Sequence, residues 1–198
     1  MRQKKIKDAT IENIKALGVF IEPEKLNLDS SKRITMEIGS GKGQFISTLA
    51  KDHPEELFIA VEMEQNVCYR LAQKKEEMGL DNLYIIMADA IKLQEYLDAK
   101  VDKIQLNFSD PWPKARHHKR RLTYTTYLNL YKELLSDEGV LVLRTDHFDF
   151  FNDSYLYITE NNYQIIESNY NLEESNYMTE YEVKKRKSGP IYQVVAKK

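Results

Sequence analysis

Ile34-Thr35-Met36-Glu37-Ile38-Gly39-Ser40-Gly41-Lys42-Gly43 decides the fold. Residues 34–38 carry the apolar content and length of a strand. The glycines at 39, 41 and 43 turn the chain into a helix predicted from about Gln44 to His53, where Pro54 stops it. Glycine has no Cβ, so a turn built from it bends tightly and lets the backbone approach a ligand closely. Gly39 and Gly41 are therefore candidate ligand-contacting positions. Dinucleotide sites use a related turn, but their fingerprint places a third glycine three residues after the second, and Gln44 stands there instead.

Outward from this turn, strands and helices alternate. Leu57-Phe58-Ile59-Ala60-Val61 is a continuous apolar run of the kind that a strand covered on both faces requires. A helix follows from Gln65 to Met78, closed by Gly79. Further strands are predicted at Leu83 to Met87, Val101 to Phe108 and Val140 to Leu143. The last two are separated by a helix from about Tyr124 to Leu135, with Thr123 as its N-cap. The tail supplies a helix near His147 to Asn161 and strands near Tyr163 to Glu167 and Ile191 to Ala196. Strict alternation predicts an α/β fold, a mostly parallel sheet with helices on both faces. At 198 residues the chain reads as one domain: a short extension over 1–32 and a core over 33–198.

In open sheets of this kind, ligands bind at the carboxyl ends of the strands. Glu37 ends the first core strand, Glu62 ends the second, Asp89 follows the third and Asp110 follows the fourth. Each acid alone reads equally well as a helix cap or a solvated loop residue, but four at successive strand ends read as a site. Gathered carboxylates repel a pyrophosphate and favour a cation. S-adenosylmethionine fits, having a sulfonium, an ammonium and two ribose hydroxyls: Glu62 suits the ribose, Glu37 the amino group and Asp89 the adenine amine.

The stretch Asn107-Phe-Ser-Asp110-Pro-Trp-Pro-Lys114-Ala-Arg116-His117-His118-Lys119-Arg120-Arg121 places one carboxylate in a loop stiffened by two prolines, directly ahead of five Lys or Arg residues. Charge runs are solvated more often than functional, but this one leaves a strand's carboxyl end. Cations there hold phosphates, and the nearby acid handles a base. Trp112, between prolines, is read as packing the loop rather than stacking on that base. A second basic run lies at Lys184-Lys185-Arg186-Lys187, so basic patches coexist with a net charge of −2 from 29 basic and 31 acidic residues. The single cysteine, Cys68, excludes an internal disulfide and fits a reducing compartment. No apolar run approaches membrane-spanning length, and Met1-Arg2-Gln3-Lys4-Lys5 lacks the apolar core of a leader, so a cytoplasmic protein is expected. His117 and His118 read as loop residues, and no metal is expected.

Several pieces together resemble the bacterial tRNA (guanine-N7-)-methyltransferases: Glu37-Ile-Gly-Ser-Gly-Lys-Gly-Gln-Phe-Ile46, Leu106-Asn-Phe-Ser-Asp-Pro-Trp-Pro-Lys114, His118-Lys-Arg-Arg-Leu122, Arg144-Thr-Asp-His147 and Met178-Thr-Glu-Tyr-Glu182. The glycine turn is general to methyltransferases, whereas the Ser-Asp-Pro-Trp-Pro-Lys and Thr-x-Tyr-Glu blocks are specific. The resemblance implies a seven-stranded class I methyltransferase sheet with a reversed final strand, and methyl transfer from S-adenosylmethionine to N7 of a guanine in the tRNA variable loop. It also implies that Glu37, Glu62, Asp89 and Asp110 contact the cofactor and that Asp110 is catalytic. Lys114, Asp146, Thr179, Glu180, Tyr181 and Glu182 become substrate-binding positions, and Arg116, His117, His118, Lys119, Arg120 and Arg121 the RNA-contacting loop.

The N1–H and N2–H of guanine are two donors that one carboxylate accepts together, with Asp146 and Glu182 as the candidates. Two other functions stay open at this point: an amino-group methyltransferase acting on adenine or glutamine, and a catalytically silent RNA-binding protein on the same fold. The sequence leaves monomer and homodimer equally open.

Overall fold

The apolar run at 57–61 forms a strand buried at every position, as cover on both faces requires. It lies within the first of two compact units of the computed structural model, which describes residues 6–198; the units meet in sequence at 99/100. Residues 1–5, whose sequence lacks the apolar core of a leader, lie outside the described residues.

The first unit runs α1 (Ile11–Ala16), β1 (Val19–Phe20), β2 (Ile34–Ile38), α2 (Gln44–Asp52), β3 (Leu57–Val61), α3 (Gln65–Met78), β4 (Leu83–Ile86) and a 3-10 turn at Ala90–Glu95. Its strands order as β1-β4-β3-β2, every pair parallel. Register places Ile38 beside Val61 and Val61 beside Ile86, so the three long strands end in step. Local chemistry sets the helix limits. Glu64 caps α3 by accepting the Val67 N–H at 2.8 Å, and Gly79 closes it in the left-handed region at φ +63°. Neither α1 nor β1 was expected in the 1–32 stretch; six and two residues are too short for a periodic signal.

The second unit runs β5 (Val101–Asn107), a 3-10 turn at Ala115–Arg120, α4 (Thr125–Leu134), β6 (Leu135–Thr145), α5 (Phe148–Glu160), β7 (Gln164–Asn169), α6 (Glu180–Lys185) and β8 (Tyr192–Lys197). β5 and β6 are parallel, and β8 is antiparallel to both β6 and β7. The reversed strand is thus the last in sequence, as expected, while among the described residues the strands number eight rather than seven. The addition is the two-residue β1.

Two boundaries differ for physical reasons. β6 starts at Leu135 rather than Val140 because Leu135 pairs with Val101 before the ladder resumes at Val140 and Lys103; the polar residues between bulge out of register. Thr123 does not cap α4. Tyr124 occupies the cap position without a side-chain bond, and the fully buried Thr123 hydroxyl shares a 2.8 Å hydrogen bond with Ser154 on α5. A buried hydroxyl must find a partner inside the protein, and this one finds a neighbouring helix. Among the described residues, no helix is long and apolar enough to cross a membrane.

Candidate active site

In the first unit the glycine turn adopts the backbone that only glycine takes without strain: φ is +76° at Gly39, +56° at Gly41 and +75° at Gly43. A methyl group added at 39 or 41 would meet nothing within 4 Å, so the outer side of the turn faces open space. At 43 it would lie 2.0 Å from Leu71 Cδ1, which fixes that glycine for packing. The turn is tied to β3, since the Gly39 and Ser40 N–H groups both donate to the Val61 carbonyl, at 2.9 and 3.0 Å.

Glu62, the next residue, is half-buried. Its Oε2 accepts the Gly41 N–H and its Oε1 the Glu64 N–H, each at 2.9 Å. Burial pushes its carboxyl above the usual carboxylate range, opposed by these N–H donors. The same burial, with the charges of Glu62 and Glu64 behind it, pushes the Cys68 thiol up to about 12, which leaves it unreactive. Glu37 is buried near the end of β2. Asp89 is exposed beyond β4 and does act as a cap, its Oδ1 accepting the Ile91 N–H at 3.1 Å. Parallel register brings Glu37, Glu62 and Asp89 to one edge of this unit, beside Gly39 and Gly41.

In the second unit Asp110 is exposed on the loop that leaves β5. The two residues that bracket it in left-handed conformation are not glycines: Phe108 at φ +53° and Trp112 at φ +39°. Such backbone persists only where its surroundings enforce it, and it concentrates at functional sites. Trp112 packs within its own loop, as expected. The Arg120 guanidinium lies 5.0 Å above its ring, and His117 meets its edge at 5.8 Å. Lys114, Arg116, Lys119 and Arg120 are exposed, while His117 and His118 are half-buried, the latter 3.2 Å from the Tyr157 hydroxyl. Arg121 requires a correction. It is only 2% exposed and its guanidinium is bonded inward, so it is not part of the RNA-facing surface that the sequence suggested.

The Thr-x-Tyr-Glu block begins helix α6: Thr179 Oγ1 accepts the Glu182 N–H at 2.9 Å. Thr179 followed by Glu182 three positions on is the sequence signature of a helix start, and it was the available signal for this helix. Glu182 is fully buried. Its Oε1 accepts from Arg186 at 2.6 and 3.1 Å, and its Oε2 lies 3.7 Å from Arg144 Nη1. Arg144 also donates to Gln193 at 2.8 Å and to the Tyr177 carbonyl at 3.2 Å.

Asp146, by contrast, is partly open, with Lys185 Nζ at 2.9 Å and the Tyr181 hydroxyl at 3.4 Å. The bond to Asp146 raises the Lys185 ammonium above its ordinary range. The cap of α5 is His147, whose Nδ1 accepts the Phe150 N–H at 3.3 Å, so Asp146 is not consumed as a cap. Tyr181 joins this cluster to the Asp110 loop through a 5.2 Å ring contact with Phe108. Of the two carboxylates that suit a guanine edge, Asp146 is the accessible one. Sequence reasoning assigned Arg144 no role of its own and placed Lys185 and Arg186 only in a basic run, whereas they are the cations that organise this end of the unit. Elsewhere among the described residues, His53, Glu55 and Glu56 bring ligand atoms within 4.8 Å of one another just after α2.

A glycine turn and gathered acids at the carboxyl edge of parallel strands, with a reversed last strand, define a Rossmann-like methyltransferase. Solved structures agree. The chain is similar to the precorrin-6y C5,15-methyltransferase of Geobacter metallireducens, at TM-score 0.59 and 16% identity over 98% of this chain and 93% of that one. It is likewise similar to the 16S rRNA methyltransferase KamB, at TM-score 0.63 and 12% identity over 98% and 96%. At such identities the likeness concerns the fold alone. The family model described as "Putative methyltransferase" matches residues 31–194. Proteins named tRNA (guanine-N(7)-)-methyltransferase match far more closely: one from Staphylococcus epidermidis at 46% identity over 85% of this chain and 81% of its own, and one from Staphylococcus aureus strain Newman at 47% over 85% and 82%. The chain belongs to the tRNA (guanine-N(7)-)-methyltransferase family.

The buried Glu182 pairing yields a stability prediction. Glu182→Ala removes a fully buried carboxylate and leaves two half-buried guanidiniums without their partner; it should destabilise the protein by about 3–5 kcal/mol, read as a lower urea midpoint at unchanged m-value. A loss below about 1 kcal/mol would show that the pairing contributes little.

Proposed function

We propose that this protein transfers a methyl group from S-adenosylmethionine to N7 of a guanine in the variable loop of tRNA. The observation that carries the reading is the half-buried Glu62 carboxylate, fixed by the Gly41 N–H beside a turn whose outer side is open. Identity of 46–47% to proteins named for this activity supports the same conclusion. The whole chain is taken as one methyltransferase domain working in the cytoplasm.

The residues suit the cofactor. Glu62 presents oxygens for a ribose diol, Glu37 and Asp89 are further anions at the same edge, and Gly39 and Gly41 allow close backbone approach. When bound, S-adenosylmethionine supplies an electrophilic methyl group on a positively charged sulfur. The guanine N7 already carries a lone pair, so no proton has to leave before attack, and the ring becomes cationic as the bond forms. Asp110 therefore acts without abstracting a proton: its carboxylate orients the base and stabilises the charge that develops on the ring. Asp146 accepts the N1–H and N2–H of the guanine, a contact that adenine does not offer, and Tyr181 and Lys185 hold Asp146 in place. Lys114, Arg116, Lys119 and Arg120 take phosphates.

Four outcomes are expected. Incubation with labelled S-adenosylmethionine and unmodified tRNA, followed by nucleoside analysis, should give 7-methylguanosine; label in a methylated adenine, or none, would overturn the reading. Asp110→Ala should lower kcat by on the order of 10²–10³ while leaving cofactor affinity largely intact. Four phosphate-contacting cations give a slope of log affinity for tRNA against log salt of roughly −2.8 to −3.6, and a salt-independent affinity would exclude phosphate contact. The raised carboxyl of Glu62 sets a pH test. The ionised form accepts the ribose hydroxyls, so cofactor affinity should hold above the raised pKa and weaken as pH falls through it, above the usual carboxylate range. Glu62→Gln should bind weakly at every pH and abolish that dependence. An unaltered pH profile in Glu62→Gln would clear Glu62 of the role.

A further inference from the structure

We infer that Arg121 is a positioning residue: its buried guanidinium holds the backbone immediately after Asp110 and thereby sets where the Asp110 carboxylate stands. The inference rests on the methyl-transfer reading of Asp110 and adds to it a residue that neither touches substrate nor meets a phosphate.

Arg121 closes the basic run, yet it is the largest of the fully buried side chains, with 2% of its surface exposed. Each edge of its planar head is used. Nε donates to the Pro111 carbonyl at 2.7 Å, Nη2 lies 3.4 Å from the Trp112 carbonyl, and Nη1 pairs with Asp153 Oδ2 at 2.7 Å. The face of the guanidinium lies 5.3 Å from the Phe150 ring centre. Asp153 and Phe150 both belong to α5, so the loop is fastened to a helix of thirteen residues.

The two carbonyls held are those of consecutive residues directly following Asp110. The second belongs to Trp112, whose φ of +39° is a conformation that a side-chain-bearing residue rarely adopts unaided. A proline at 111 brings no N–H of its own, so its carbonyl is the only backbone polar group by which that residue can be fixed. A guanidinium reaches two adjacent carbonyls and a carboxylate from three separate nitrogens in a rigid fork, whereas an ammonium offers all its donors from one nitrogen and does not hold that planar spread. Asp153 balances the charge, which makes a buried cation tolerable here.

Phosphate contact and positioning make opposite demands on the same side chain, and the protein contains a built-in reporter. Trp112 is its single tryptophan and lies in the loop that Arg121 holds. In the full-length protein, Arg121→Lys keeps the charge but loses the fork. It should raise acrylamide quenching of Trp112 and lower kcat on the order of tenfold to a hundredfold, with KM for tRNA within about twofold of wild type. Asp153→Asn removes the anchor without touching the loop and should reproduce part of the quenching change. Arg121→Gln should leave the salt slope for tRNA unchanged, whereas Lys119→Gln should reduce it by about 0.7–0.9 with Trp112 quenching as in wild type.

If quenching and kcat in Arg121→Lys matched wild type, or if Arg121→Gln lowered the salt slope as Lys119→Gln does, the inference would be overturned. Should Arg121→Gln fail to fold, Arg121→Lys and Asp153→Asn decide the matter alone. Quenching needs no methyl transfer, so it judges the loop contact even if wild-type protein forms no 7-methylguanosine, an outcome that would sink the proposed activity instead.

Discussion

Three parallel strands that end in step, with Ile38 beside Val61 and Val61 beside Ile86, make the chain leave β2, β3 and β4 at one edge. The first exit is the glycine turn, the second is Glu62 and the third leads to Asp89. Because the turn donates the Gly41 N–H to Glu62 and the Gly39 and Ser40 N–H groups to Val61, the two first exits are bonded to each other before any ligand arrives. Preorganisation of this kind leaves fewer groups to be ordered on binding. Keeping the Glu62 carboxylate half-buried is costly, and that burial is what raises its carboxyl above the usual range. A positively charged ligand would offset it.

A different device organises the second unit. Asp110 is exposed, on a loop bent twice through left-handed backbone, and nothing about an exposed acid fixes its direction. What fixes the loop lies beneath it. Arg121 grips the carbonyls on one side, and the Phe108 N–H donates to the Arg144 carbonyl at 2.8 Å on the other. Arg144 in turn faces Glu182 and Gln193, so the two blocks that mark the family, around Asp110 and around Thr179 to Glu182, are parts of one supported structure within this unit. The cations differ in placement: Lys114, Arg116, Lys119 and Arg120 are exposed, whereas Arg121 and Arg144 are bonded inward and serve as scaffolding.

Much of this was legible in the sequence, for reasons that can be named. Strand 57–61 declares itself because two-sided burial needs an unbroken apolar run, strand 34–38 because the glycine turn closes it, and helix α3 because Gly79 stops it. The acids at strand ends followed from the parallel topology. Less could be read where the decisive partner is distant in sequence. Arg121 is indistinguishable from Arg120 in a string of cations; only Asp153 and Phe150, 32 and 29 positions further on, pull it inward. Glu182 looked as available as Asp146 until Arg186 and Arg144 closed over it. Thr123 resembled a cap because the hydroxyl of Ser154, which claims it, lies on another helix.

The central claim is that the Glu62 edge holds the methyl donor, and the most direct measurement is a crystal structure of the protein grown with S-adenosylmethionine. The ribose hydroxyls should lie within hydrogen-bonding distance of the Glu62 carboxylate, with the ligand over Gly39 and Gly41. Density for the ligand elsewhere, with Glu62 still bonded only to Gly41 and Glu64, would contradict it.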